Sequence, residues 1–543
     1  MLDQAILAWK AVLGADHVVT DSGSLVAAGS ATFKTTQRIP AIIRPQTRQE
    51  VQEVLRIATR FRTPVYPISG GKNWGYGSRV PVTDGCVLLD LSRMKRIVNF
   101  SEDQGYVTLE PGVTQGQLFD FLQERKSGLW MDATGSSREA SMVGNTLERG
   151  FGHTPSGDHF SNVCGFEVVF PNGEVIETGA ARFENGCAGE VYRPGLGPSL
   201  DGLFAQSNFG VVTRMTFWLM PAPEAFQAFF FRCDREDALP AIIDALRPLR
   251  LNGTLRSAIH VGNDYKVISG IQQYPWKETN GETPLSLELI RKFRKDMKFG
   301  AWNGSGALCG TDAQVRDGRR LVRAALAGKV DKLQFVNKRI LALGSRFAGA
   351  SKYLTGWDLS KTIELAKPLF GLLQGVPTDK PLTSVYWRKR TPIPKDMDPD
   401  RDGCGLQWVA PVAPLVGTNA DELAKLSSEI LLRHGFEPML SYTLLTERAM
   451  ICIISIGYDR DLPGEDDKAT ACYKELEAAL DARGYMPYRL GIQSMGKMRM
   501  EGAYGELLRA IKRTVDPASI LSPGRYLSEV DTTSDKALGQ PCR

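Results

Sequence analysis

The sequence predicts an α+β fold, and three observations carry that expectation. At 543 residues the chain exceeds what one simple core holds, so two to four domains are expected. Up to about Pro221, short β segments alternate with stretches of helical periodicity. From about 224 to 485 the texture changes to longer helices and strands separated by irregular loops.

The elements follow in chain order. "MLDQAILAWKAVLGADHVV" reads as an amphipathic helix. With an acid at position 3 and no compact apolar run before a small-residue cleavage site, it is not a secretion signal, so a cytoplasmic or periplasmic protein is expected. "IPAIIRPQTRQEVQEVLRIATRFRTPVYPIS" reads strand, helix, strand: Val51, Val54, Leu55 and Ala58 fall at helical spacing, and Val65 to Ile68 lead into a glycine loop. "CVLLDL" (86–91) and "GYVTLEPGV" (105–113) are β segments, and "TQGQLFDFLQERK" is the helix after them. "CGFEVVFPNGEVIETG" (164–179) is a hairpin around Pro171-Asn172-Gly173. The most apolar stretch, "FWLMPAPEAFQAFFF", holds two prolines and a glutamate, which suits strand, loop, strand and not a membrane span. Near the end, "RAIKRTVDPASILSPGRYL" is a helix stopped at Asp516-Pro517 and followed by a turn, and the last dozen residues are expected to fray.

Composition excludes several classes. Hydrophobic content of 43% and charge content of 23% are those of a soluble globular protein, and a net charge of +5 gives no case for nucleic-acid binding. The nine cysteines include no CxxC pair, and the five histidines are dispersed. No metal site, disulfide framework or attached c-type haem is therefore expected. One segment is unusual: residues 313–352 carry ten Lys/Arg against two Asp, a local +8 that reads as a basic, helical, solvated face.

"PISGGKNWGYGSR" (67–79) sets bare backbone beside aromatic surface. Such glycines can bring N–H groups to an anion, while the aromatics face whatever the anion is attached to; an ordinary surface turn would look the same. "SMVGNTLERGFGHTPSGDH" (141–159), "GPSLDGLFAQSNFGVVTRMTFWLMP" (197–221) and "ILSPGRY" (520–526) are each routine glycine turns taken singly. Together, in this order and spacing, they resemble the vanillyl-alcohol oxidase/4-cresol dehydrogenase family of FAD enzymes from about residue 38 to 530.

That resemblance implies a two-domain fold, with residues 1–223 and 486–543 binding FAD and 224–485 forming a substrate cap. It places Ser69, Gly70, Gly71, Lys72 and Asn73 on the FAD pyrophosphate, with Gly144, Asn145, Gly150, Gly157, Gly210, Val212 and Arg525 completing the cradle. In the family's phenol-oxidising branch, the residues matching Tyr76, Tyr488 and Arg489 bind the substrate as a phenolate, so a small phenolic substrate is implied. A packed loop aromatic is the plainer account of Tyr76 alone. Many members tether the flavin through a His or Tyr, but here that position falls on Gly405 or Leu406, so noncovalent FAD is expected. Cys404 is the nucleophile nearby, or else a buried structural thiol. Where the oxidase branch keeps an Asp, this chain has Ser136 or Ser137, which resembles the dehydrogenase branch. Electrons would then pass to a separate protein acceptor, for example a c-type cytochrome. Glu447 and Asp402 match positions where relatives keep a carboxylate near the benzylic carbon, although surface or ion-paired roles fit them too. The family also implies a homodimer or higher oligomer. The rival expectations are an oxygen-using oxidase and a flavin-binding protein without activity.

Overall fold

The computed structural model describes residues 1–342, 367–498 and 500–527. Its first sheet runs in the order Val18–Val19, Ile42–Ile43, Val87–Asp90, Val65–Ile68, and the last three strands are parallel. Parallel neighbours need a crossover, and helix Arg48–Arg60 supplies it between Ile43 and Val65. Its buried face is the predicted set Val51, Val54, Leu55 and Ala58, and the Thr47 side chain caps its start by accepting from the Glu50 N–H. The chain returns to this sheet at its end: Val65 N–H donates to the Ile520 carbonyl and Ser522 N–H to the Val65 carbonyl, both at 2.8 Å.

A second sheet is antiparallel, in the order Ile97–Ser101, Tyr106–Leu109, Val211–Trp218, Val163–Val169, Val175–Glu177. Its inner side chains share a core with Leu118 and Leu122 of helix Gln115–Glu124.

The largest sheet lies within residues 225–459. Its order is Lys332–Val336, Ala225–Cys233, Trp302–Gly310, Ile259–Asn263, Met439–Leu444, Ala449–Asp459, Cys404–Val409. Strand side chains alternate faces, and here the alternation separates core from site. Ile259, Val261, Leu440, Tyr442 and Leu444 pack under the helices Leu239–Leu251, Gly417–Arg433 and Glu465–Asp481. His260, Gly262, Ser441 and Thr443 point the other way and line a large cavity.

The basic segment is a helix only in part. Helix Asp312–Leu326 is followed by Lys332–Val336, the edge strand of the large sheet. Residues 343–352 of that segment, and the tail expected to fray, lie outside the described residues. Among the described residues no helix is long and apolar enough to cross a membrane.

Candidate active site

The glycine loop 67–79 leaves the strand Val65–Ile68 with its backbone donors free. Among the described residues, the N–H groups of Ser69, Gly70, Gly71, Lys72 and Asn73 have no protein acceptor. All five residues line a cavity of about 1070 Å3. Consecutive free amides of this kind suit a phosphate or pyrophosphate. The loop is held against the large sheet at Gly75, which has φ +78°, and whose added Cβ would meet Trp408 Cδ1 at 1.9 Å. Only glycine lets backbone and indole approach so closely. Trp408 N–H donates to the Gly75 carbonyl at 3.3 Å, and Gly75 N–H donates to Thr32 Oγ1 at 2.9 Å. Gly144, Asn145, Gly150, Gly210, Val212 and Arg525 line the same cavity. Gly157 does not: it closes a turn behind the wall, where Gly152 N–H donates to its carbonyl and its own N–H donates to Thr154. Its expected place in the cradle is corrected to a backbone role.

Tyr76, Tyr488 and Arg489 come together at one end of the cavity. The Arg489 Cζ lies 3.9 Å from the centre of the Tyr76 ring and 5.2 Å from that of Tyr488. Main-chain bonds fix the group: Ile492 N–H donates to the Tyr76 carbonyl, Tyr488 N–H to the Ala410 carbonyl, and Gln206 Nε2 to the Tyr488 carbonyl. Burial raises the Tyr488 hydroxyl well above its ordinary value against the pull of Arg489. Burial opposes the charge on Arg489, but Tyr488 and Tyr76 outweigh it and its pKa is raised. Arg489 Nε is buried without a partner among the described residues. This end therefore holds a permanent cation with a spare donor. Behind it, Arg525 pairs with Glu148 and the Tyr66 hydroxyl, and Tyr526 donates to Glu148 at 3.0 Å.

A histidine pair in the cavity wall was not legible in the sequence. His153 and His260, over a hundred residues apart, stack with ring centres 4.4 Å apart. His153 Nδ1 donates to the Ala133 carbonyl, and His260 Nδ1 shares a 3.1 Å hydrogen bond with Thr443 Oγ1. Burial lowers both imidazoles, so both are neutral near pH 7. Below His153, Asp132 pairs with His159 at 2.6 Å and accepts the His153 and Thr154 N–H groups, which fixes the turn carrying His153. Lys266 enters the cavity from the first turn of helix Asp264–Ile271. Burial lowers its ammonium to about 8.

A family model described as "FAD binding domain" matches residues 39–179. The chain is 32% identical to the 4-cresol dehydrogenase [hydroxylating] flavoprotein subunit of Pseudomonas putida, covering 98% of this chain and 96% of that one. The chain belongs to the vanillyl-alcohol oxidase/4-cresol dehydrogenase family. It is an FAD-dependent oxidoreductase with that family's two-domain fold. It is also 44% identical, over 97% of each chain, to 1'-carboxy-chondrochloren decarboxylase of Chondromyces crocatus. The structure of 4-ethylphenol oxidase from Gulosibacter chungangensis, in complex with isoeugenol, superposes with a TM-score of 0.87 at 27% identity over 98% of both chains.

For a member of this family, the tether position is informative. Leu406 faces the cavity, whereas an added Cβ on Gly405 would strike the Tyr458 ring at 2.4 Å, so Gly405 is turned into the packing. Cys404 is fully buried in a cluster with Trp74, Leu382 and Tyr386, and burial raises its thiol far above the ordinary range. Ser136 lines the cavity, while Ser137 donates to Asp379 at 2.8 Å and braces the loop. Two expected carboxylates are elsewhere. Glu447 sits in the turn between Met439–Leu444 and Ala449–Asp459, its side chain 56% exposed, outside the described cavity wall. A hairpin tip points it to solvent, so the expectation of a catalytic role is corrected. Asp402 accepts from the Tyr386 hydroxyl at 2.6 Å and pairs with Arg401, also off the wall.

Proposed function

We propose that the protein oxidises a 4-alkylphenol at its benzylic carbon, with Tyr76, Tyr488 and Arg489 binding the substrate as its phenolate. The observation that carries this is the buried Arg489 guanidinium, 3.9 Å from the Tyr76 ring centre, beside Tyr488, with a donor left over. A phenol ordinarily ionises near pH ~10, and an adjacent buried cation favours the anion. The phenolate pushes electron density to the para carbon, so loss of a benzylic hydride leaves a quinone methide. FAD, when bound, supplies the two-electron acceptor for that hydride. Ser69 to Asn73, with the cavity-lining glycines and Arg525, would hold it noncovalently, since Leu406 offers no bonding atom. Residues 1–223 and 486–543 then make the FAD-binding domain and 224–485 the substrate cap.

Two fates follow for the quinone methide. Water can add to it, as the name of the 32% identical relative favours. The 44% identical decarboxylase favours a second reading. There, a carboxylate on the carbon next to the benzylic one leaves as CO2, and its bonding pair forms the side-chain double bond as the ring regains its phenolate. Ser136 at the cavity wall supports the dehydrogenase type. The electrons would then leave to a separate acidic carrier such as a c-type cytochrome. Arg316, Arg319, Arg320 and Arg323, which line one surface cleft, offer the docking face. Reversing Arg319, Arg320 and Arg323 to Glu should slow reduction of a protein acceptor, most at low salt, and spare a small dye.

The deciding experiment is anaerobic mixing with 4-cresol or eugenol. Bleaching of the flavin's visible absorbance is expected, and slow recovery on admitting air marks a dehydrogenase. A flavin that no 4-alkylphenol bleaches leaves a flavin-binding protein without this activity.

A further inference from the structure

The cavity has a second cationic point that the phenolate clamp does not use. Asn263 caps helix Asp264–Ile271 by accepting the Lys266 N–H at 3.0 Å, and its Nδ2 donates to the Pro438 carbonyl at 2.6 Å. That double anchor fixes where Lys266 starts. The side chain runs along the cavity wall to an Nζ 5.5 Å from the Trp408 ring centre and 3.5 Å from Ser384 Oγ. Among the described residues no carboxylate pairs with it, and burial is the one cause that shifts its ammonium. An ammonium among an indole, a hydroxyl and apolar wall lacks the anion that would offset its desolvation.

The wider wall is also rich in cations, of which Lys72 is paired with Asp398. Eight of its described residues are Lys or Arg, and its one described carboxylate, Glu148, is already paired with Arg525. Trp408 links the two cationic points, because the indole beside Lys266 is the one that packs on Gly75, next in sequence to Tyr76. Tyr76, Tyr488, Arg489 and Lys266 all line this one cavity, so a para-substituted aromatic substrate would share it with the Lys266 ammonium.

We propose that Lys266 is a specificity-determining residue that binds a carboxylate on the para side chain, so that the preferred substrates are 4-hydroxyphenyl compounds with an acidic tail. This rests on the phenolate reading above and narrows its substrate class. His260 and His153 line the same cavity as neutral imidazoles and add no second positive charge, and Thr443 shares a hydrogen bond with His260.

The test uses the holoenzyme and two probes of matched size, 3-(4-hydroxyphenyl)propanoate and its neutral primary amide. Anaerobic flavin reduction gives kcat/KM for each, and perturbation of the oxidised flavin's spectrum gives Kd. Wild type should prefer the carboxylate, and Lys266→Met should cut the carboxylate-to-amide ratio by roughly 10–100-fold, the range for one charge-assisted hydrogen bond. Lys266→Arg should keep most of the ratio. If neither probe reduces the flavin but the carboxylate still binds more tightly through Lys266, the inference stands and the hydride-transfer reading falls. A wild type that does not discriminate, or a ratio unmoved by Lys266→Met, overturns the inference. Equal losses on both probes would assign Lys266 to the flavin or to the fold and overturn it too.

Discussion

The two walls of the cavity are built by opposite rules. The glycine-loop wall is assembled from short contiguous stretches, 69–73, 144–150 and 488–489, each carrying its chemistry within a few residues. The sheet wall is assembled by register: His260, Thr443 and Trp408 meet because Ile259–Asn263 pairs with Met439–Leu444, and Ala449–Asp459 joins that strand to Cys404–Val409. The difference teaches where function can be read from a chain and where it cannot. A loop that cradles an anion must spell out its glycines in order, whereas a sheet wall specifies only alternation.

The sharpest way to break this contrast is to ask whether the sheet wall also holds the cofactor. If it does not, acid or hot-detergent denaturation should release all of the flavin into the supernatant, because Leu406 faces the cavity without a bonding atom and the Cys404 thiol is fully buried in packing with Trp74, Leu382 and Tyr386. Yellow colour left on the precipitated chain would give the sheet wall a tether, with Cys404 as the residue to substitute.

The next effect in size falls on the loop wall. Arg489→Met removes the cation between Tyr76 and Tyr488, a contact class worth about 1.5–3 kcal/mol to a charged partner. The rate constant for flavin reduction by a 4-alkylphenol, taken as kcat/KM, should drop at least tenfold. Tyr488→Phe should cost less, since Tyr76 still donates. Wild-type turnover in Arg489→Met would remove the phenolate assignment, as would unchanged rates on an O-methylated substrate.

What was legible follows from the same contrast. Tyr76 and the Tyr488-Arg489 pair could be placed because each sits inside a short contiguous motif, and the buried face of helix Arg48–Arg60 followed from periodicity alone. Gly157 was misplaced because a glycine that turns the backbone and one that faces a ligand look alike in sequence. Glu447 was misplaced because its role depended on register along a hairpin whose turn, at Thr446 to Ala449, could not be located from composition. Lys266, His260 and Trp408 gave no local signal at all, since their meeting is a property of strand order.

Gly75 is where the two walls touch, and it allows a smaller test of their coupling. Gly75→Ala should slow flavin reduction and lower stability, because its φ of +78° is unfavourable for alanine and the new methyl meets the Trp408 indole. Trp408→Ala in the same chain should restore part of the loss by removing the clash. A strictly additive double mutant would mean the indole yields without cost and the walls are independent.

The smallest effect concerns Asp400, which braces the loop wall from the far side. Ser78 Oγ donates to Asp400 Oδ1 at 2.7 Å, and Asp400 Oδ2 has no partner among the described residues. Burial raises this carboxyl to about 6, against the Ser78 hydrogen bond and the Arg79 charge. A carboxyl whose folded pKa lies above its unfolded value near 3.8 favours folding most when neutral. Its contribution is therefore complete below about pH 4 and is lost as pH rises through about 6, after which it stays constant. Asp400→Asn mimics the neutral form and keeps the acceptor for Ser78. Its melting temperature should rise relative to wild type as pH goes from 4.5 to 6 and hold that lead to pH 7.5. The gain is on the order of 1–3 kcal/mol, since a tenfold change in a proton-binding constant between the folded and unfolded chain is worth about 1.4 kcal/mol. A difference that stays flat across that range would mean Asp400 ionises normally in the fold. A lead that shrinks as pH rises would mean that the ionised carboxylate, drawn to Arg79 and Lys72, is what braces the loop.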